Sequence, residues 1–509
     1  MRAAVATGLM GLWLATSACG APSRGDDDDG DDDDDAAGPD DAGDRDGDDG
    51  GPCAPSSLGQ SYVGCDYWPT VTGNIVSQHY EFAVSVSNTS GARATVRIDG
   101  GALTEPMIFD VVSGGVAVRT LPWVEALKLC LGDSQFDCQT GHGTAARAVG
   151  GAYHLRSDVP VTVYQFNPLD FFQSDAPENS FSNDASLLFP TTSWRDDYYV
   201  ASFTPVLGGI VAYPSLLAVT AHEDGTRVTI NARASTAAQN GAPRFDTGVP
   251  QDVMLDAGDV IQIGAVAGDL TGSRVTSDKP IQVIGAHYCS RIPLEFGFCD
   301  HLEESMFPVE TLSRQYVVVA PAVTTIPDGK EQYVRIVATA AATTLTYDPP
   351  IAGAPTTIAS PGDFVEIARN PTSFLVTANH KVLVAQYMEG SQVAGNTGDP
   401  SMALAVPVEQ YRTEYLFHAP LNYTTSYVDV IARTGTAVTL DGVLLTGFTP
   451  IGTSGYALAR VTPLGPGTGG VGNHTITGST PFGISVYGYG QDTSYWYPGG
   501  LDLRLIPID

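Results

Sequence analysis

Residues 157–168 read SDVPVTVYQFNP, and the phrase returns as SDKPIQVIGAHY from 277, ANHKVLVAQYME from 378 and STPFGISVYGYG from 479. The starts lie 120, 101 and 101 residues apart. A phrase that recurs at such a period is the signature of like units placed in tandem, each one supersecondary assembly. A chain of 509 residues also exceeds the roughly 250–300 at which a single core stops growing. Whatever the fold, it has to be built about four times.

The neighbouring segments repeat too, and they read as strands. Short β-branched and aromatic runs alternate with Gly, Pro and Asp, and no convincing amphipathic helix follows Cys53, which marks an all-β chain. One hairpin appears as FAVSVSNTSGARATVRI (82–98), LLAVTAHEDGTRVTI (216–230), VRIVATAAATTLTY (334–347) and VDVIARTGTAVTL (428–440). Its Asp-Gly and Thr-Gly pairs suit turns with positive φ. A second hairpin turning on Gly comes next, and then the opening phrase. Pro160, Pro280 and Pro481 are read as strand starts, where a missing N–H is tolerated, with Lys381 in that place in the third copy. Seven short strands per unit suggest a two-sheet sandwich with its own core; propeller blades, at four strands in about 40–50 residues, fit less well.

A further phrase ends in Pro190, Pro308, Pro407 and Pro507, and eight residues beyond the first three stands Tyr198, Tyr316 or Tyr415. After Pro507 the chain has two residues left, while Tyr67-Trp68-Pro69 supplies a similar run near its start. The expected fold class is therefore all-β, four tandem β-sandwich-like repeats at 53–196, 197–314, 315–413 and 414–509. Two arrangements fit. In a closed pseudo-fourfold ring, Tyr67-Trp68-Pro69 fills the place vacated in the fourth unit and hides sheet edges; in an open rod, each unit touches only its neighbours.

The first 52 residues are of another kind. Arg2 and the apolar run Ala3 to Ala15 are too short to span a bilayer and match a signal-peptide core. Residues 16–19, TSAC, resemble a lipobox with Thr16 where Leu is usual, so residues 1–19 are expected to be a signal peptide ending at a lipid-modified Cys19, with simple secretion as the alternative. Residues 20–52 hold 15 Asp, 2 Arg and nothing apolar larger than Ala, the composition of an extended acidic tether. The rest of the chain keeps 42 acids against 22 Lys and Arg, a net of −20, which disfavours nucleic acid as a partner. Apart from Cys19 there are six cysteines, Cys53 and Cys65, Cys130 and Cys138, Cys289 and Cys299, at spacings of 12, 8 and 10. Six allow about 15 connectivities. Local pairing costs least in loop closure and export favours its persistence, whereas zinc wants Cys-x2–4-Cys.

YHLRSDVPVTVYQFNP (153–168) followed by NDASLLFPTTSWRDDYYVAS (183–202) resembles the IgGFc-binding protein N-terminal domain family. That family occurs in a mucus-associated animal glycoprotein and in many bacterial secreted proteins and lipoproteins. The likeness extends over 62–509 and is strongest in the first two units. It implies an extracytoplasmic binding or adhesion domain, leaves the ligand open, and carries over no set of contact residues.

Chemistry is sparse. Nine histidines are scattered, with no His-Glu-x-x-His, nucleophile elbow, P-loop or dinucleotide fingerprint. The densest polar cluster is His301-Leu302-Glu303-Glu304, which lacks a second ligand group at metal spacing. No catalytic, cofactor-binding or metal residues are expected. The loops after the recurrent phrase, 167–183, 289–299 and 389–400, differ in length and character at one equivalent place, as binding loops on a rigid scaffold do. Phe171 and Phe172, and Phe296 and Phe298, are candidate contact residues there, or caps on their own units. The functional expectation is a cell-surface or outer-membrane lipoprotein that binds an extracellular protein or glycan, held to the membrane by its lipid alone and needing no cofactor. A structural envelope component comes second and an extracellular hydrolase third.

Overall fold

The computed structural model describes residues 50–507 apart from 175, 209–210, 324, 327–328, 394–397, 422 and 465–471. Cys19 and the aspartate run lie outside the described residues. Residues 50–507 are predominantly β, in four large antiparallel sheets of seven, eight, seven and eight strands plus a small hairpin, Val206–Gly208 with Val211–Tyr213. Each large sheet is organised around one long strand: Tyr153–Phe166, Arg274–Ser290, Phe374–Met388 or Gly472–Gly490.

The recurrent phrase does a different job from the one its sequence suggested. It lies inside each long strand, at the point where the strand changes partners. In the second sheet, the early part of Arg274–Ser290 pairs with Thr226–Asn231 and Arg195–Tyr199. The later part pairs with Ser215–Ala221 and Asp300–Ser305. Between the two, Asp197 opposes Thr276 while Arg195 opposes Ile281, so one residue of one strand, Asp196, faces four of the other, 277–280. The same slip separates Asp66↔Arg156 from Gly64↔Val161, Gln315↔Thr377 from Ser313↔Val382, and Glu414↔Thr477 from Arg412↔Phe482. SDVP, SDKP, ANHK and GSTP are the excess residues of a large bulge. Pro160, Pro280 and Pro481 are tolerated because a bulge, like a strand start, leaves an N–H without a ladder partner.

A bulge interrupts the ladder, and two side chains repair it. The second phrase residue accepts from the neighbouring strand: Asp158 Oδ1 from the Thr95 N–H at 2.7 Å, Asp278 Oδ1 from Arg227 at 2.8 Å, Asn379 Oδ1 from Thr344 at 2.7 Å and Ser479 Oγ from Ala437 at 3.1 Å. On the other side the regularly spaced tyrosine donates to the carbonyl just after the phrase. Tyr67 reaches Val161 O at 2.7 Å, Tyr198 reaches Ile281 O at 2.8 Å, Tyr316 reaches Val382 O at 2.5 Å, and Tyr415 bonds Phe482 O. The hydroxyls of Tyr198, Tyr316 and Tyr415 also accept the N–H three residues upstream, from Arg195, Ser313 and Arg412. The offset of eight from proline is the length of a 3-10 turn, Thr191–Ser193, Val309–Thr311 or Val408–Gln410, plus the first residues of the strand that follows.

Four short strands, Ala185–Leu187, Asp300–Ser305, Met402–Leu404 and Thr493–Pro498, meet at the centre, each touching the next and the last touching the first. The fourth member is therefore Thr493–Pro498, which pairs with Gly472–Gly490, and not the LDLRLIP phrase ending at Pro507. Tyr67 likewise stays in its own sheet, opposite Leu155, instead of completing the fourth. What joins the two ends is the segment just before it. The Tyr62 N–H donates to Leu501 O at 3.2 Å and Leu503 N–H to Gln60 O at 2.9 Å, with Ser61 bridged to Asp502. Residues 502–506 then run across the 3-10 turns, Asp502 and Ile506 donating to Gln410 O and Glu310 O. Lys381 caps this crossing, its ammonium donating to Val309 O, Glu310 O and Ile506 O at 3.3, 2.9 and 2.6 Å.

The expectation of one core per unit needs correction. One continuous cluster joins buried side chains of the first, second and fourth sheets with part of the third, including Val84, Tyr164, Leu217, Ile284, Phe417 and Tyr497. The third sheet keeps a separate core around Tyr316, Ile336, Phe374 and Val384, and a smaller one joins it to the fourth through Met388, Tyr427, Tyr487 and Trp496. Ala146–Ala148 also leaves its own unit to edge the second sheet, opposite Val260–Gln262. Such sharing follows from setting the inner faces of four small sheets against one another.

Candidate functional site

Each long strand is joined to its central strand by one of the variable loops, 167–184, 291–299, 389–401 or 491–492. These loops interlock. Ser182 Oγ accepts the His301 N–H at 2.8 Å, linking the first loop to the second unit's central strand. Gly390 N–H donates to Ile292 O and Gly297 N–H to Gln392 Oε1, both at 2.8 Å, and Arg369 pairs with Glu295. Asp399 N–H donates to Ser494 Oγ at 2.9 Å, and Thr493 Oγ1 to Asn183 Oδ1 at 3.1 Å, returning to the first loop. The result is a closed series of bonds that ties loops of three units to one another and to the central strands.

Its floor is a buried polar cluster that sequence reasoning located only in part. His301, Glu303 and Glu304 are fully buried, together with Asp184 and Asp300, and Asp399 is nearly so. Asp184 ties three units together. Its Oδ1 accepts from its neighbour Ala185 N–H at 2.9 Å and from Ser401 Oγ at 2.6 Å, and its Oδ2 from Glu303 N–H at 3.1 Å and Met402 N–H at 3.3 Å. Glu303 accepts from Thr72 Oγ1 at 2.8 Å and from the amide of Gln165 at 3.2 Å. Asp300 Oδ2, Asp399 Oδ1 and Glu304 Oε2, by contrast, have no hydrogen-bond partner. Burial pushes all three carboxyls well above the ordinary range, with Asp399 and Asp184 adding repulsion at Asp300, Asp492 at Asp399, and Asp184 at Glu304. Among the described residues no group of three or more His, Cys, Asp or Glu is placed to hold a metal. Sealed from solvent, the cluster is suited to joining the units.

The loops' outer surface is where contact is available, and it divides the candidate phenylalanines. Phe171 is half-buried and edge-on to Phe181 at 5.5 Å, whereas Phe172 is 69 % exposed. Phe296 is half-buried and Phe298 50 % exposed. In both loops one ring packs inward and its near neighbour stands in solvent. Sequence reasoning missed a third exposed ring, Phe136, in the short helix Gln135–Thr140. The disulfides Cys53–Cys65, Cys130–Cys138 and Cys289–Cys299 join the three local couples, and the last two staple segments of this surface.

A concavity of about 810 Å³ lies where 57–63 meets the fourth sheet. It is lined by Ser and Thr hydroxyls and by Arg412, Glu414, Asp502 and Arg504; Asp502 bonds both arginines, so those charges are already paired.

The model of the IgGFc binding protein family matches residues 184–488, and the chain belongs to that family. The matched span runs from Asp184 to Gly488 and takes in three of the four long strands in whole or large part; the 153–168 phrase lies before it. No curated protein matches the chain significantly. No helix among the described residues is long and apolar enough to cross a membrane.

Proposed function

We propose that the chain is an exported, surface-anchored binding protein whose interlocked loop surface engages an extracellular protein. The observation that carries this reading is that variable loops of separate units are tied to one another and to the central strands, with Phe172 and Phe298 held out in solvent and the second loop stapled by a disulfide. Exposed aromatics on rigid supports are the residues that dominate protein interfaces. Membership of the IgGFc binding protein family supports protein binding as the activity, and its name makes the Fc part of immunoglobulin G one ligand to test. The closed contacts of the four central strands and the bonds between 60–62 and 501–503 favour a ring over a rod. In a ring the loops sit side by side, so weak contacts add through effective concentration.

The test is to screen the body, residues 53–509, against arrays of secreted and cell-surface proteins, of glycans and of immunoglobulin fragments. A protein ligand bound by the wild type and lost in Phe172→Ser/Phe298→Ser supports the proposal. Binding confined to glycans, or unchanged in that variant, overturns it. Anchoring is tested separately: a diacylglyceryl or triacyl Cys19 at the mature N-terminus supports a lipoprotein, and an unmodified terminus overturns it.

A further inference from the structure

Within the loop surface one part has a chemical character of its own. The helix Gln135–Thr140 packs on the loop 167–184: the Gln135 N–H donates to Glu178 Oε1, its side-chain amide to Ser180 O, and Tyr80 Oη donates to Phe171 O at 3.1 Å and Glu178 O at 2.8 Å. Phe136 and Phe172, next in sequence to residues in these contacts, are 68 % and 69 % exposed. The helix is fixed at its start by Ser134 and Asp137, which cap each other's backbone, and at Cys138 by the disulfide to Cys130, with Cα atoms 5.6 Å apart. The rings are thus displayed on two segments tied to each other through Tyr80, Gln135 and Glu178, and exposed apolar surface rimmed by polar residues marks contact sites.

The surround is strongly one-sided in charge. Segments 131–140 and 168–183 contain five acids and no Lys or Arg. Asp133 and Asp137 are exposed, and Asp170 and Glu178 half-exposed. A net field of this sign around two aromatic anchors repels acidic partners and steers cationic ones.

We infer that this patch of the first unit is the docking site for a cationic protein segment, one that lays an apolar side chain against Phe136 and Phe172 and sets Lys or Arg beside Asp133, Asp170 and Glu178. The inference rests on the proposed protein-binding role and adds the partner's chemistry and the unit that reads it.

The experiment uses the body 53–509 on an array of synthetic peptides in which net charge and aromatic content vary independently. The expected result is retention of cationic, aromatic-containing peptides, weakened by added salt. Phe136→Ser/Phe172→Ser should weaken binding roughly tenfold or more, as loss of aromatic anchors does. Asp133→Asn/Asp170→Asn/Glu178→Gln should remove the preference for positive charge and leave the aromatic preference in place. All are surface changes, and an unaltered circular dichroism spectrum shows that the fold is kept. Retention of acidic and basic peptides alike, or binding that survives both variants and is lost in Phe298→Ser, overturns this inference and leaves the protein-binding role standing. Binding by no peptide, with no protein retained on the arrays, overturns both.

Discussion

Tyr198 is the clearest place to test whether the recurrent phrase and the regularly spaced tyrosine form one device. Its hydroxyl accepts the Arg195 N–H at 3.0 Å and donates to Ile281 O at 2.8 Å, spanning the point where four residues of one strand oppose one of the other. The side chain is 2 % exposed, and burial pushes the phenol far above its ordinary pKa, so it stays a neutral donor. Tyr198→Phe keeps the ring packing and removes both bonds at once. Leaving a buried donor or acceptor unpaired costs about 1–3 kcal/mol each, so the expected loss for the two is about 2–6 kcal/mol. Because the units share a core, a single unfolding transition is not assured, and the better assay is native-state hydrogen exchange read residue by residue. Amides of Arg195–Tyr199 and Arg274–Ser290 should lose roughly that much protection, with smaller losses in the third sheet. Tyr347→Phe, whose hydroxyl donates to Pro355 O at 2.5 Å from a half-buried side chain, serves as a control and should cost under about 1 kcal/mol. A loss at Tyr198 no greater than at Tyr347, or one spread evenly over all four sheets, would refute the idea that tyrosine repairs the bulge.

Asp278→Ala removes the acceptor on the other side of the same bulge and should cost about 1 kcal/mol by chemical denaturation, less than Tyr198→Phe because the Arg227 N–H it leaves lies nearer solvent. Asp300→Asn should change how stability depends on pH. With its carboxyl raised by burial and by Asp399, the folded state holds a proton that the unfolded chain releases near pH 4, so the wild type is fully stabilised by this group below that range and loses the contribution as pH rises through the raised value. The Asn variant should therefore match wild type at about pH 4 and gain on it toward neutrality in denaturation midpoints; an advantage that shrinks with rising pH would contradict the assignment. Lys381→Met should free residues 502–506, seen as faster amide exchange at Ile506, at a cost of about 1–3 kcal/mol, because Ile506 O loses this donor while Val309 O and Glu310 O keep the N–H groups of Leu312 and Ile506. Replacing Cys130 and Cys138 by Ser should cost about 2–3 kcal/mol and mobilise Phe136 without unfolding the central strands.

The strands and their fourfold repetition were legible because hairpin turns and alternation leave local marks. The meaning of SDVP and its copies was not, since a proline at a bulge and a proline at a strand start are chemically alike, and only the register distinguishes them. The Tyr offset was visible as a regularity, but its reason is a carbonyl more than 60 residues away at Val161, Ile281, Val382 or Phe482. The fourth copy was misaligned because LDLRLIP keeps the look of the phrase, while the strand that fills the position, Thr493–Pro498, is aromatic and ends in Pro498-Gly499-Gly500. His301, Glu303 and Glu304 stood out as a dense polar run. Asp184 and Asp399 did not, since each is an isolated acid until the four central strands come together. Phe136 carries no such mark, because it lies outside the loops after the long strands, on a short helix held by a disulfide.

The central claim is that the interlocked loops form the binding surface. It is tested most directly by hydroxyl-radical footprinting of the body 53–509, free and bound to whichever protein the array identifies. Protection of Phe136, Phe172 and Phe298, with unchanged labelling of Ile108, Met254 and Val443 on the outer strands, is the predicted result. Protection confined to those outer strands, or to the groove around Arg412 and Arg504, with the three phenylalanines still labelled, would contradict it.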